Sequence, residues 1–326
     1  MKINYYCTLF DRNYLVKGLV MLQTLLQHSK QARVFVLCMD SETEKILAAL
    51  RISNVTLLTL KDVEDDDLLR VKSSRSIAEY CWTMSACFCW HIMSCFSYVD
   101  RLTYLDADLM FFSSVDPLFD EIGDNSIAII EHRFSERFKH LEAYGRFNVE
   151  WVTFVRDSAG VACLKKWRDQ CIEWCFARLE DGRMGDQKYL DYWPAEFPGR
   201  VHIIQNIGAG VAPWNYSDYK YTIQGDCNLV NGHPLIFYHF HQFQILTGGF
   251  YDYMSESYSK GFGVPIKVYK SYENELIKAF ELIRNHFPEF NGGVRSVFKV
   301  KARKLAQKML PIEVKNFLRK MKIQMW

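Results

Sequence analysis

The sequence predicts an α/β fold, a mostly parallel sheet with helices on both faces. Three observations predict it. Short β-rich runs alternate with stretches of helical apolar spacing from residue 2 to residue 58. The alternation continues through RLTYL at 101–105, IAII at 127–130 and VHII at 201–204. The chain has 326 residues, 49% apolar and 24% charged, enough for one large α/β domain with an appendage.

Residues 2–9 (KINYYCTL) read as a buried opening strand. Asn13 to His28 repeats apolar residues at Leu15, Leu19, Leu22 and Leu26, a helical period. Val34 to Leu37 reads as the second strand. Ser41 is expected to cap the next helix, with Glu44 completing a capping box, and Val55 to Leu58 to be the third strand. A polar stretch from Asp62 leads to a long helix predicted over Ser76 to Tyr98. Strands follow at 101–105, 127–130 and 151–155, then a helix over Ser158 to Arg178, a short helix over Asp186 to Tyr192, a strand over 201–204 and a late strand over 235–239. Ser271 is expected to cap a helix carrying Leu276, Phe280, Ile283 and Phe287 on one face. Pro288 and Gly292-Gly293 then mark a boundary. The expected division is a main domain over 1–270, a helix and boundary over 271–293, and a tail over 294–326.

The charge is uneven. Ten Lys and Arg residues after Gly293 face only Glu313, so the tail carries +9 of a net +2 and the body is left at −7. An acidic body does not suit nucleic acid. Val294, Val297, Phe298, Leu305 and Met309, then Ile312, Val314, Phe317, Leu318 and Met321 beyond Pro311, set apolar stripes between the cations. That is the signature of a helix lying on an anionic membrane surface. No run approaches the roughly 20 apolar residues of a membrane span, and the start lacks the pattern of a secretory signal. The expectation is a cytoplasmic protein, peripheral on the inner face of the plasma membrane, with its ten cysteines reduced.

Asp106-Ala107-Asp108 directly follows the apolar end of a predicted strand. Carboxylates at the carboxyl ends of sheet strands face the crevice where open α/β sheets bind ligands. Two hard oxygen ligands one residue apart suit Mg²⁺ or Mn²⁺, which keep positions for water and phosphate and so favour a diphosphate leaving group. His239 and His241 are two apart on a strand, which points both to one face, and a neutral imidazole suits Mn²⁺ as a further ligand.

YLDADLMFF resembles the DxD signature of GT-A glycosyltransferases. Asp11-Arg12-Asn13-Tyr14 after the first strand resembles the nucleotide-binding start of glycosyltransferase family eight. RSIAEYCWT at 75–83, Gly185-Asp186-Gln187 and His239-Phe240-His241 resemble that family's later segments in the same order, over residues 1–245. Gln242 stands where the family has a glycine, no Lys-Pro-Trp follows, and the Asn-Ala/Ser-Gly segment is only loosely echoed by Phe147-Asn148. A sister family is therefore also in view. The resemblance implies a GT-A fold and a metal-dependent transfer of a hexose from a UDP-sugar to a lipopolysaccharide, O-antigen or capsule-type acceptor, with retention.

By that resemblance Asp106, Ala107 and Asp108 take metal and diphosphate, Asp108 as the stronger ligand, with His239 or His241 beside them, His239 being the one the alignment favours. Asp186 and Gln187 sit near the reacting sugar. Thr8, Asp11, Asn13 and Tyr14 take the uridine, and Arg75 pairs with phosphate oxygens. The implied partners are a UDP-sugar donor and a glycan or glycolipid acceptor. Trp214 and Tyr216 are expected to line the acceptor cleft. Two alternatives stand beside this reading. One is an inverting transferase with Glu131 as base. The other is a nucleotidyltransferase, which would want a glycine-rich basic loop where LFDRNYL stands.

Overall fold

The structure, a computed structural model, describes residues 3–225, 227–259 and 263–309. Seven strands form the central sheet: β1 (Asn4–Phe10), β2 (Ala32–Cys38), β3 (Val55–Thr59), β4 (Arg101–Leu105), β6 (Ile127–Glu131), β7 (Phe147–Val155) and β8 (Val201–Ile204). Their order is β3-β2-β1-β4-β7-β6-β8, and the short β5 (Leu109–Phe111) leaves this sheet. All pairings are parallel except those of β7, which runs antiparallel to both β4 and β6. The expected mostly parallel sheet is present, with β7 reversed at its centre.

Side-chain alternation along β1 splits the core. Tyr6 and Phe10 pack with the helix Leu15–His28 and the late helix Ile266–Arg284. Cys7 and Leu9 pack with the helices Ile77–Cys95 and Ser158–Glu173 on the other face. Burying apolar area on both faces is what holds a parallel sheet together, at about 25 cal/mol per Å².

Several element ends differ from the sequence reading, each for a local reason. Asp40, not Ser41, caps the second helix: its carboxylate accepts from the Thr43 and Arg12 peptide N–H groups, both at 2.7 Å. Ser76 does cap the long helix, in a reciprocal box with Glu79. That helix stops at Cys95 because Arg156 takes the Phe96 and Val99 carbonyls at 2.8 and 2.6 Å. The next helix is capped by Asp157 and ends at Glu173, beyond which the Tyr189 hydroxyl donates to the Trp174 carbonyl at 2.6 Å. Ser271 lies inside a helix that begins at Ile266, and its hydroxyl donates to the Lys267 carbonyl.

The expected boundary near Gly293 is packed against the body. Phe290 is buried, and Gly293 (φ +74) lies so close to the Asn13 carbonyl that a Cβ would meet it at 2.3 Å. Val294–Arg295 then pairs in parallel with Ile245–Leu246. The predicted tail therefore starts with two residues inside a strand of the body. Only from Val297 does it run as a separate helix, to Met309. The apolar stripe after Pro311 lies outside the described residues. No helix among the described residues is long and apolar enough to cross a membrane.

Candidate active site

β4 ends at Leu105 and β5 begins at Leu109, so Asp106 and Asp108 occupy the turn between them, at the carboxyl edge of β4. β5 pairs antiparallel with Phe237–His239, and His239 lies opposite Leu109. The Phe240 N–H donates to the Asp108 carbonyl at 2.9 Å. This register brings a histidine distant in sequence onto the acidic pair. Asp106, Asp108 and His239 each place a ligand atom within 4.8 Å of the others. His239 Nε2 is 3.0 Å from Asp108 Oδ1 and 3.9 Å from Asp106 Oδ2.

His241 does not join them. The strand ends at His239, and Gln242 takes φ 61 in the turn that follows, so two-residue alternation no longer applies. The His241 ring packs edge-on against His239, 5.6 Å between centroids, and against Trp214 and Tyr258 at 5.4 and 6.2 Å, but gives no ligand atom to the group of three.

Sequence reasoning missed the residue behind His239. Glu150 is fully buried on β7, and its Oε2 accepts from His239 Nδ1 at 2.5 Å. A register jump between Ile129 and Ile130, with Ile130 opposite Asn148, frees this stretch of β7 from β6. The Asn148 side-chain amide oxygen accepts from the Glu150 peptide N–H at 3.0 Å. With Nδ1 committed to Glu150, Nε2 is the nitrogen that faces the carboxylates.

The site's electrostatics follow from burial and close charge. Burial pulls His239 down, but Asp108 and then Glu150 outweigh it and hold its pKa well above the usual imidazole value. Burial raises Asp108, yet His239 and then Lys17 keep it well below the carboxylate range. Asp106, still 29% exposed, is pushed up to about 7 by burial and by the Asp108 and Glu150 charges, against the pull of His239. Two carboxylates and an imidazole with a fixed tautomer fit a hard or borderline divalent cation such as Mg²⁺ or Mn²⁺.

Asp186 heads the short helix Gln187–Tyr192 without capping it. Its carboxyl is buried, and its pKa is pushed up to about 8 by that burial and by Asp106. Trp167 Nε1 donates to its carbonyl at 2.9 Å and fixes the backbone. Gln187 donates its amide N–H to the Tyr144 carbonyl at 3.0 Å.

The other expected residues divide. Thr8 is buried and its hydroxyl has no hydrogen-bond partner among the described residues. Asp11 ties its own loop together, accepting from the Asn13 N–H and amide and from the Tyr14 N–H. Asn13 and Tyr14 are exposed at that loop, Tyr14 by 43%. Ala107 is buried between the two aspartates. Arg75 has a structural occupation, donating to the Ile172 carbonyl at 3.1 Å and stacking on Phe176. Trp214 and Tyr216 are buried rather than lining an open cleft, and Trp214 Nε1 donates to the His132 carbonyl at 2.8 Å. Glu131, the alternative inverting base, is ion-paired with Arg146.

Comparison with known proteins agrees with this geometry. Residues 7–160 match the profile of Glycosyl transferase family 8. Two Bacillus subtilis (strain 168) proteins described as uncharacterised, YfnF and YfnD, are each 31% identical to the chain. They align over 295 and 297 residues, which is 88% and 90% of this chain and 96% and 95% of theirs. The crystal structure of the glycosyltransferase GlyE from Streptococcus pneumoniae TIGR4 matches the fold with a TM-score of 0.50 at 16% identity, covering 89% of this chain. The chain spans 64% of that structure's length. The DxD turn, the paired histidine and these relationships lead to one conclusion: the chain belongs to glycosyl transferase family 8 and is a GT-A-fold glycosyltransferase.

Proposed function

We propose that the enzyme moves a hexose from a UDP-sugar to a lipopolysaccharide, O-antigen or capsule-type glycan, with retention of configuration, at the inner face of the plasma membrane. The observation that carries this is the convergence of Asp106, Asp108 and His239 on one point, within electrostatic reach of the buried Asp186. Asp106, Asp108 and His239 would hold Mn²⁺ or Mg²⁺, which when bound supplies positive charge against a leaving diphosphate. Asp186 offers the carboxyl that stabilises a sugar cation, a role it fills once its proton has left. Gln187 is held through its amide N–H, so its carbonyl oxygen stays available to the sugar. Asn13 and Tyr14, exposed in the loop after β1, suit the uracil and ribose edges.

The C-terminal helix supports membrane attachment. Phe298 is 81% exposed and Leu305 60% exposed in a helix whose sequence carries five cations between Lys299 and Lys308. A lipid-linked acceptor gives such attachment a purpose. The test is a screen of nucleotide-sugar hydrolysis with and without Mn²⁺, followed by anomeric NMR of the transfer product. Mn²⁺-dependent release of UDP and a retained anomer are expected. Metal-independent turnover, a donor lacking uridine, or an inverted product would overturn the reading.

A further inference from the structure

The helix Leu15–His28 carries a charge, Lys17, to which the site described so far gives no role beyond its pull on Asp108. Lys17 is buried in the run LVKGLVML, and its Nζ lies 4.6 Å from the centroid of the Tyr14 ring. Among the described residues, Asp108 is the only carboxylate within 4.0 Å of that Nζ, and at 3.9 Å to Oδ2 the contact is too long for a hydrogen bond. A second polar group nearby is unmatched. The Tyr272 hydroxyl is buried with no hydrogen-bond partner among the described residues, on a ring stacked 3.7 Å from Phe240, and the Asp108 charge bears on it. Arg295 reaches the same neighbourhood because its strand pairs with Ile245–Leu246 and Gly293 seats on the Asn13 carbonyl. Its charge bears on both Tyr14 and Lys17.

These groups pose a problem that an anion solves. Asp108 already shares its charge with His239 at 3.0 Å, and a divalent cation bound there would add positive charge on the side that Lys17 faces. A buried ammonium would then face a like charge, which is unstable unless an anion arrives with the metal. We propose that Lys17 is a donor-binding residue that grips the diphosphate of the nucleotide-sugar, with the Tyr272 hydroxyl and Arg295 completing the anion site. The proposal rests on the nucleotide-sugar reading and adds a sign to it. Lys17 opposes metal binding alone and favours metal and diphosphate together.

The test titrates the full-length protein by calorimetry with Mn²⁺ alone, with UDP in saturating Mn²⁺, and with inorganic pyrophosphate in saturating Mn²⁺. Lys17→Met is expected to bind UDP and pyrophosphate about 10- to 100-fold more weakly, the range of a lost charge-assisted hydrogen bond, while binding Mn²⁺ alone more tightly. Tyr272→Phe, which removes one oxygen, should weaken both anions several-fold, and Lys17→Arg should restore most of the affinity. Unchanged anion affinity in folded Lys17→Met overturns the proposal. If that variant fails to fold, unchanged anion affinity in Tyr272→Phe together with collapse of affinity in Lys17→Arg overturns it instead. Wild-type binding of pyrophosphate but not UDP would sink the uridine reading and leave Lys17 to be judged on pyrophosphate. Binding of neither would sink both.

Discussion

Glutamine at position 150 is the sharpest perturbation of the site that leaves every first ligand in place. The Glu150 carboxylate accepts from His239 Nδ1 at 2.5 Å inside the protein, with no water to replace it. Glu150→Gln keeps the shape and removes the charge that orients the ring and strengthens Nε2 as a donor. Carboxylates placed behind a ligating histidine are worth about 10- to 100-fold in metal affinity, or about 1.4–2.7 kcal/mol. The metal-free fold loses the charge that helps hold His239 protonated, offset in part because the other carboxylate oxygen is buried without a partner among the described residues. The assay is Mn²⁺ titration by calorimetry alongside thermal melts with and without metal. The expected outcome is weaker Mn²⁺ binding, a smaller metal-induced rise in melting temperature, and a metal-free melting temperature that is modestly lower near neutral pH, where Glu150 helps keep His239 charged. Mn²⁺ affinity within a factor of two of wild type would refute the reasoning.

Other outcomes follow from the same geometry. Asp108→Ala should abolish Mn²⁺-dependent donor turnover, and His241→Ala should keep Mn²⁺ affinity within a few-fold, since His241 packs beside His239 without adding a ligand atom to the cluster; calorimetry and an activity assay separate the two. Mn²⁺ affinity should rise between pH 6 and pH 8, because Asp106 titrates at about 7 and His239 is held above its usual value, and both must shed protons to ligate. Asp186→Asn should lose most activity yet raise the metal-free melting temperature at pH 8. Its pKa is raised in the folded state, so the folded form holds the proton longer, and the stability this gives is full at low pH and falls as pH rises through about 8. Deleting residues 297–326 should leave donor hydrolysis intact and reduce binding to anionic vesicles in a flotation assay, with neutral vesicles as the control.

Much of the fold was legible because it depends on local periodicity. RLTYL and VHII became β4 and β8 at the expected residues, and the Ser76 capping box started the long helix. Ends were misplaced where a distant side chain intervened, as Arg156 does at Phe96, which no local pattern encodes. Asp106 and Asp108 were legible as a motif. Strand spacing alone left His239 and His241 open, since the difference depends on where a short strand stops and on its register with β5; only the family alignment favoured His239. Glu150 and Lys17 had a signal that went unread, each being a lone charge inside an apolar run, FNVEWVTFV and LVKGLVML. Such a charge is costly to bury unless a partner or ligand awaits it. The docking of Gly293 and Arg295 was hidden because a Pro-Gly-rich stretch reads as a linker, while its packing depends on contacts with the first loop.

The account's central claim is that one divalent cation sits between Asp106, Asp108 and His239. Anomalous diffraction from a crystal soaked in MnCl₂ and UDP tests it most directly. The prediction is a single strong manganese peak within coordination distance of all three side chains, with UDP density against it. A map with no peak there, or with manganese bound only elsewhere on the molecule, would contradict the account.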